Sequence, residues 1–405
     1  MTAAIPQPHP DAQRLLAELR PWHERADRIG PAEREDRIAC VRAAMAAIGV
    51  DALLVNAGAS LRYFTGIAWG ATERLVALLV PQSGEPFLIG PEFERGSLHA
   101  ASQVPLFQIG WEEHEDPCVV LADALHALRV ETLALDPELP WRLVLGLQRS
   151  EAARRLVDGA PVIDAGRMHK SEAELALIRQ AMAMTLEVHR QAAMLLRPGI
   201  GTGEVKRFID EAHRALGADG GSTFCAVQFG VATAYPHGLP GEQTLQADDL
   251  VLIDTGCQVD GYHSDITRTY AFGRPHAEHA EAWSHERDAQ QAAFDAVRPG
   301  VACEEIDAVA RRSLARNGYG PAYRLPGLPH RTGHGLGLSI HEPAYLVQGD
   351  TRPLARGMCF SNEPMIVVPE RFGIRLEDHF HVTDDGARWF TPPATSFVDP
   401  FGLRG

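Results

Sequence analysis

Between residues 250 and 378 four carboxylates and one histidine recur in settings that suit metal chemistry. The apolar run Leu250-Val251-Leu252-Ile253 delivers Asp254 at its end, just before Thr255-Gly256, and Asp265 follows eleven residues on. Gly333-His334-Gly335-Leu336-Gly337 carries His334, Asn362-Glu363-Pro364 carries Glu363, and Gly373-Ile374-Arg375-Leu376-Glu377-Asp378 carries Glu377. Carboxylate oxygens with one imidazole suit Mn2+, Co2+ or Zn2+, and the lack of thiolates argues against a structural zinc site. Two such ions about 3.5–4 Å apart, sharing bridging carboxylates, hold a water between them and lower its pKa. The expectation is a site for two divalent cations.

Taken singly, these residues have simpler accounts. Aspartate before Thr-Gly is a common turn residue, and Asp265 before Ile266-Thr267 could cap or pair. Glu363 resists that account. It ends a mainly apolar strand, Met358-Cys359-Phe360-Ser361, where an unpaired charge is costly to desolvate and a dication removes the difficulty. The glycines around His334 remove bulk and let the backbone bend close to a ligand. His341 lies seven residues beyond His334. If a strand or hairpin joins them, the rings need not share a face, which favours His334 on metal and His341 toward substrate. His237, between Pro236 and Gly238, reads by itself as a loop histidine.

The elements that must position these groups are legible in outline. Residues 14–48 have a helical pattern divided at Pro21 and Gly30-Pro31, with Ile38, Val41, Met45 and Ile48 as an apolar stripe. Pro6, Pro8 and Pro10 suggest a short extended arm before it. Strands are expected at 52–55, 75–80, 86–89 and 132–135, with a helix at 119–128. Strands alternating with helices point to an α/β first domain with a mostly parallel or mixed sheet. Asp164-Ala165-Gly166-Arg167 reads as the boundary, dividing the chain into domains 1–165 and 166–405. Ser171 and Glu174 then form a capping box, and Leu175, Ile178, Met182 and Leu186 a helical stripe that ends at Arg197-Pro198-Gly199.

The second domain contains an internal repeat. Arg197-Pro198-Gly199-Ile200 recurs as Arg298-Pro299-Gly300-Val301, an offset of 298 − 197 = 101. Each is followed by an amphipathic helix, with Val205, Phe208, Ile209 and Leu216 in one and Ile306, Val309 and Leu314 in the other. Gly217 and Gly318 stop these helices, again 101 apart. His237-Gly238 answers His334-Gly335 at 97, Asp254 answers Glu363 at 109, and Asp265 answers Glu377 at 112. Two similar halves facing each other would place all the carboxylates in one central cleft.

Composition narrows the classes. Hydrophobic residues make up 45% and charged residues 22% of the 405, an ordinary soluble globular balance. No apolar run approaches the roughly 20 residues of a membrane helix, and residues 1–20 lack the pattern of a secretion signal. A formal charge of −15 argues against a nucleic-acid surface. The six scattered cysteines, none in a CxxC pair, read as reduced, buried thiols of a cytoplasmic protein rather than a disulfide framework.

Asp254, Asp265, His334, Glu363 and Glu377, in this order and spacing, resemble the metallopeptidase family of methionine aminopeptidase, aminopeptidase P and prolidase. The resemblance covers residues 171–391. It implies an α+β pita-bread catalytic domain with an internal pseudo-two-fold repeat, preceded by an α/β creatinase-like N-terminal domain. It also implies roles. Asp254 would chelate one ion through both oxygens, Asp265 and Glu377 would bridge two, and His334 with Glu363 would complete the other shell. Mn2+ is the expected ion, with Co2+ or Zn2+ as alternatives. Glu363 would take a proton from the attacking water, within the reach such a transfer needs. His237 and His341 match the family histidines that line the substrate pocket. Arg375 would pair with ligand carboxylates or hold Asp265. The implied substrate is a small peptide cut before proline, the implied assembly a homodimer.

One position departs from the family pattern. Many prolidases carry His-Glu-x-Pro-Arg, whose arginine grips the free carboxylate of a dipeptide, whereas His341-Glu342-Pro343-Ala344-Tyr345 puts Tyr345 there. A phenol donates one hydrogen bond but not a bidentate charged pair. Either a free C-terminus is not required, or another cation supplies the grip, with Arg62 and Arg74 as candidates. The expected activity is Xaa-Pro dipeptide hydrolysis. Aminopeptidase P activity on longer peptides and a creatinase-like carbon–nitrogen hydrolase are the alternatives.

Overall fold

The computed structural model describes residues 10–403. They form two compact units, Arg28–Arg167 in one and the described residues on either side of that segment in the other. Pro6 and Pro8 of the expected arm lie outside the described residues. Pro10, expected in the same arm, instead opens helix α1 (Pro10–Glu18). Ala12 and Leu15 of α1 are buried, and further on the Trp22 amide donates to the Leu216 carbonyl and the Ala26 amide to the Gln180 side chain. These contacts tie residues 10–27 to the second unit, where the sequence placed everything before 166 in the first.

In the first unit, helix α2 (Pro31–Ile48) starts with proline in its first turn, where no amide is needed, and stops where Gly49 takes φ 69°. Ile38, Val41 and Met45 are buried, but Ile48, on the last residue before the chain turns away, is 53% exposed. Strands β1 (Ala52–Asn56), β2 (Ala77–Pro81), β3 (Phe87–Pro91), β4 (Phe107–Trp111), β5 (Thr132–Leu135) and β6 (Arg155–Asp158) form one sheet in the order β4-β3-β2-β1-β5-β6. The β1–β5, β5–β6 and β3–β4 pairs are parallel, while β1–β2 and β2–β3 are antiparallel, so the sheet is mixed. Helices α3 (Ala59–Thr65), α4 (Arg95–Ala101), α5 (Pro117–Ala127), α6 (Trp141–Arg149) and α7 (Ala160–Met168) connect and follow these strands. Central β1 is buried along its whole length, which is how a strand reads when both sheet faces are covered. Asp164-Ala165-Gly166-Arg167 is part of α7, and the units divide within that helix, after Arg167.

The second unit opens with helix α8 (Glu172–Leu195), whose capping box is complete: Ser171 accepts from the Glu174 amide and Glu174 from the Ser171 amide. Helix α9 (Thr202–Leu216) buries Val205, Phe208, Ile209 and Leu216 and ends at Gly217, φ 90°. Strands β7 (Ser222–Phe229), β8 (Leu250–Val259), β9 (Tyr262–His263) and β10 (Ile266–Ala271) complete the first half, ordered β10-β8-β7 with β9 on β8. The second half repeats the plan. Helices α10 (Ala277–Ala296) and α11 (Cys303–Arg316) precede β11 (Gly333–Gly335), β12 (Glu342–Leu346), β13 (Cys359–Asn362), the hairpin β14 (Met365–Val368) and β15 (Phe372–Arg375), then β16 (Asp378–Val382) and β17 (Ala387–Trp389). The five-stranded sheet runs β12-β11-β13-β16-β17.

Backbone hydrogen bonds carry the repeat. The Gly199 amide donates to Leu245 and the Leu245 amide to Ile200, at 2.8 and 2.9 Å. The Gly300 amide donates to Leu354 and the Leu354 amide to Val301, both at 2.8 Å. Equivalent loops thus recur at 300 − 199 = 101 and 354 − 245 = 109. The halves meet where Thr267 bridges Glu377, and where Thr269 Oγ1 donates to the Arg375 carbonyl at 2.7 Å. Behind this seam Arg268 donates to the Glu377 carbonyl and forms a 2.6 Å ion pair with Asp378, both side chains fully buried. All six cysteines are free; Cys118, Cys257, Cys303 and Cys359 are buried as expected, but Cys40 is exposed and Cys225 half-buried. Among the described residues no helix is long and apolar enough to cross a membrane.

Candidate metal centre and substrate cleft

Asp254 stands within β8, opposite Ala226 on β7 and Thr267 on β10. Asp265 immediately precedes β10, His334 is the middle residue of β11, Glu363 follows β13, and Glu377 precedes β16. The same cleft, about 560 Å3, is lined by all five together with His237, His341 and Arg375. That volume is within the ordinary range for small-ligand sites. Each half contributes two of the carboxylates, Asp254 and Asp265 from the first and Glu363 and Glu377 from the second.

Each group is oriented by a neighbour. The His334 amide donates to Ser361 Oγ at 2.8 Å, and His334 Nδ1 lies 3.0 Å from the Gly335 carbonyl. A carbonyl only accepts, so Nδ1 carries the proton and Nε2 keeps its lone pair for a cation. Nε2 is 3.2 Å from Glu363 Oε1 and 3.7 Å from Asp265 Oδ2. Thr267 Oγ1 donates to Glu377 Oε2 at 2.7 Å. Arg375 donates to Asp254 Oδ2 at 2.6 Å and to Thr267 Oγ1 at 3.1 Å, so its ion pair is with Asp254 rather than Asp265. Gly333 and Gly335 are required by close approach: a Cβ on Gly333 would lie 2.0 Å from the Ser361 carbonyl oxygen, and one on Gly335 2.5 Å from that of Glu342.

The electrostatics are those of a site built around positive charge. Burial, then the charges of Glu377, Asp254 and Glu363, push the Asp265 carboxyl well above the usual range. Glu377 is pushed well above it by burial and by Glu363 and Asp254. Burial also raises Asp254, outweighing Arg375. Glu363, beside His334 and within reach of the Arg375 charge, is the exception and is held below the usual carboxylate range against burial. Asp254 Oδ1, Asp265 Oδ1 and Glu377 Oε1 are buried without a hydrogen-bond partner. Orphaned anionic oxygens at one locus are what divalent cations satisfy, so the residues present fit the metals the sequence implied.

Three features escaped the sequence reading. His379 on β16, fully buried with both ring nitrogens unpartnered, can offer a nitrogen within 4.8 Å of donor atoms of Asp265, His334 and Glu377. Its signal was its place two residues after Glu377, on the same side of an extended strand. His330 and Arg331 line the cleft as well, just before the glycine-flanked His334. Glu342 has a structural part. It pairs with buried Lys170 at 2.9 Å and accepts from the Ser339 amide at 3.0 Å, which fixes the turn that presents His341.

His341 and His334 do not point apart, because that turn and a bulge after His334 bring their rings to 4.1 Å between centroids. Burial and the adjacent His334 push the His341 pKa down to about 4. Tyr345 is half-buried, paired in register with His334. Arg62 and Arg74 lie in the other unit. There the Arg74 guanidinium forks onto Glu113 at 2.9 and 3.1 Å and also meets Glu73, while Arg62 sits on α3 with its carbonyl accepting from Arg34.

This fold and site define a two-domain metallopeptidase. Residues 176–384 match metallopeptidase family M24 and residues 37–169 match the Creatinase/Prolidase N-terminal domain. The chain is 36% identical to the probable dipeptidase PepE of Mycobacterium bovis, over 87% of this chain and 92% of that one. The crystal structure of dipeptidase PepE from Mycobacterium ulcerans superposes with a TM-score of 0.84 at 35% identity, covering 92% of this chain and 99% of the other. Recombinant prolidase from Thermococcus sibiricus gives a TM-score of 0.82 at 28% identity, over 90% and 98% of the two chains. The chain belongs to family M24.

Proposed function

We propose that this metallopeptidase hydrolyses Xaa-Pro dipeptides. The observation that carries the reading is the convergence of Asp254, Asp265, His334, Glu363 and Glu377, with orphaned oxygens, in one cleft beside two histidines. Asp254, Asp265, His334, Glu363 and Glu377 would hold two divalent ions, Mn2+ foremost and Co2+ or Zn2+ as alternatives that an oxygen-rich, one-histidine donor set also accepts. When bound, such ions supply a water of lowered pKa and polarise the scissile carbonyl.

The rest is done by the chain. Glu363, held below the usual carboxylate range, accepts the proton of the attacking water and returns it to the leaving proline nitrogen. His341, neutral at pH 7 because its pKa is about 4, donates a hydrogen bond to the developing oxyanion or the substrate backbone without bringing a charge. His237 stands on the same cleft wall for the same use. Arg375 holds Asp254 in place from behind.

The test is a panel of Xaa-Pro dipeptides and Xaa-Pro-Yaa tripeptides, assayed with Mn2+ and after chelation. Dipeptide cleavage that is lost with the metal and regained with Mn2+ is expected. Preference for the tripeptides would make the enzyme an aminopeptidase P, and full activity in the metal-stripped protein would return the creatinase-like alternative. Cytoplasmic residence and a homodimer belong to the same proposal; the free, mainly buried thiols support the first, and light scattering on the purified chain tests the second.

A further inference from the structure

Helices α8 and α10 occupy matching places in the repeat, and each spends one fully buried polar side chain on the main chain beside candidate ligands. Gln290 lies eight residues before Arg298 and His189 eight before Arg197, so the two are 290 − 189 = 101 apart, the offset of the Arg-Pro-Gly turns. The Gln290 side-chain nitrogen is 3.2 Å from the Asn362 carbonyl, 3.2 Å from the Leu376 carbonyl and 3.1 Å from Asp378 Oδ2. Asn362 precedes Glu363, and Leu376 and Asp378 flank Glu377. All three neighbours accept, so the two amide hydrogens are shared among them and the amide has one orientation. Asn362 Nδ2 donates in return to the Gln290 carbonyl at 2.8 Å.

His189 acts in the same way in the first half. Its Nε2 is 3.0 Å from the carbonyl of Ile266, the residue after Asp265, so Nε2 carries the proton. Burial and the Arg268 charge push its pKa down to about 3, which leaves a neutral donor at pH 7. One turn earlier the match continues. Thr185 Oγ1 is 2.7 Å from Ser264 Oγ, just before Asp265, and Glu286, at 286 − 185 = 101, lies against the Leu376 main chain, just before Glu377. Neither Gln290 nor His189 is among the residues that line the cleft. What they hold is backbone. Mutual repulsion of the buried carboxylates works to part the segments that carry them. Two uncharged donors oppose that without adding a cation that would compete with a metal for the same oxygens.

Resting on the two-ion reading of the centre, we infer that Gln290 and His189 are positioning residues which, from equivalent places in the two halves, hold the main chain beside Glu363, Glu377 and Asp265 in the arrangement that receives the ions. Gln290 ties the two second-half carboxylates to each other, since one amide spans the end of β13 and the turn into β16. His189 ties the start of β10, and with it Asp265, to α8. The ligands are thereby set before an ion arrives, and binding needs no rearrangement of the backbone. Loss of either donor therefore shows in ion affinity and in the geometry of the ion pair, beyond any loss of stability.

The experiment titrates the full-length, metal-stripped chain with Mn2+, reading free ion and the spectrum of bound ion by electron paramagnetic resonance. Wild type is expected to take up two ions with the spectrum of a coupled pair. Gln290→Met and His189→Phe fill the space without the donor. Each is expected to weaken Mn2+ binding about 10–100-fold and to alter the pair spectrum, the scale of removing a group that orients a metal ligand. His189→Gln, which supplies the donor that the other half uses, is expected to restore wild-type affinity and spectrum. Gln180→Met is the control for lost packing: Gln180 is buried on α8 too, but accepts from the Ala26 amide, away from the ligands. It is expected to lower the urea midpoint and leave Mn2+ affinity unchanged. Should Gln290→Met not fold, Gln290→Leu or the His189 pair carries the test. Wild-type affinity and spectrum in the donorless variants, or an equal weakening in Gln180→Met, overturns the inference while the two-ion reading stands. A wild type that takes up no Mn2+ removes that reading and the inference with it.

Discussion

At the scale of single residues the centre rests on two neighbours 3.2 Å apart, His334 with an imidazole lone pair for a cation and Glu363, the proposed proton acceptor. Glu363→Gln keeps the shape but removes the proton acceptor, so kcat on Xaa-Pro is expected to fall roughly 1,000-fold. Bound metal, counted by plasma emission on the same sample, separates lost chemistry from lost ions. His379 gives a second prediction. Its unpartnered ring sits against Asp265, His334 and Glu377, so replacing it with alanine is expected to weaken Mn2+ binding about 10–100-fold. Competition against a chromophoric chelator measures this, and an unchanged affinity would remove His379 from the centre.

At the scale of elements, β11 has to pass close to β13 for His334 to reach the carboxylates. Gly333→Ala places a methyl 2.0 Å from the Ser361 carbonyl oxygen, within the sheet where neither backbone can yield. A loss of about 3 kcal/mol in stability, with fewer ions bound, is the expected result, read from denaturant midpoints and metal content. A different device joins α8, α9 and the first-half sheet: His213, fully buried, lies 3.0 Å from Thr185 Oγ1 and 2.8 Å from Ser222 Oγ. Burial pushes its pKa down to about 4 from the ordinary 6.5. Between those values the unfolded chain binds a proton that the folded chain refuses. The stabilisation is therefore full above pH ~6.5 and is lost as the pH falls toward 4, by about 2 kcal/mol at pH 5. Urea titrations at pH 7 and pH 5 on wild type and His213→Gln test it; the variant should lose about 2 kcal/mol less between the two, and an equal loss would refute the assignment.

At the scale of the whole molecule, two half-sheets each bring carboxylates to a seam where burial and mutual repulsion oppose ionisation. Metal binding and folding of this unit are linked for that reason. With Mn2+ at about 1,000 times its Kd, the bound ion contributes about 4 kcal/mol. Chelation is therefore expected to lower the melting temperature by roughly 10 °C, and added Mn2+ to restore it. Scanning calorimetry of the stripped and reloaded protein measures this. An unchanged melting temperature would mean that the carboxylates are satisfied without ions.

The sequence by itself determined the period of the second domain, the identity of its five candidate ligands and the order in which they come. These are local: an apolar run that leads to Asp254, glycines beside His334, a charge after the apolar run to Glu363, and helix stops at Gly217 and Gly318 are each set by neighbouring residues. The α/β alternation of the first domain was legible for the same reason, although β4 and β6 were not. β6 has no fully buried residue, and β4 only Gln108 and Trp111, so neither prints a hydrophobic pattern. What only the tertiary structure decided are pairings across long separations. Arg375 meets Asp254 across 121 residues, Lys170 meets Glu342 across 172, and residues 10–27 join the unit that starts again at Met168. The clearest case is Tyr345, which in sequence marks a missing arginine. Antiparallel pairing of β11 and β12 sets Tyr345 opposite His334 and brings its ring beneath Arg331, just before β11 and fourteen residues earlier, and no local pattern records what a strand will meet across the sheet.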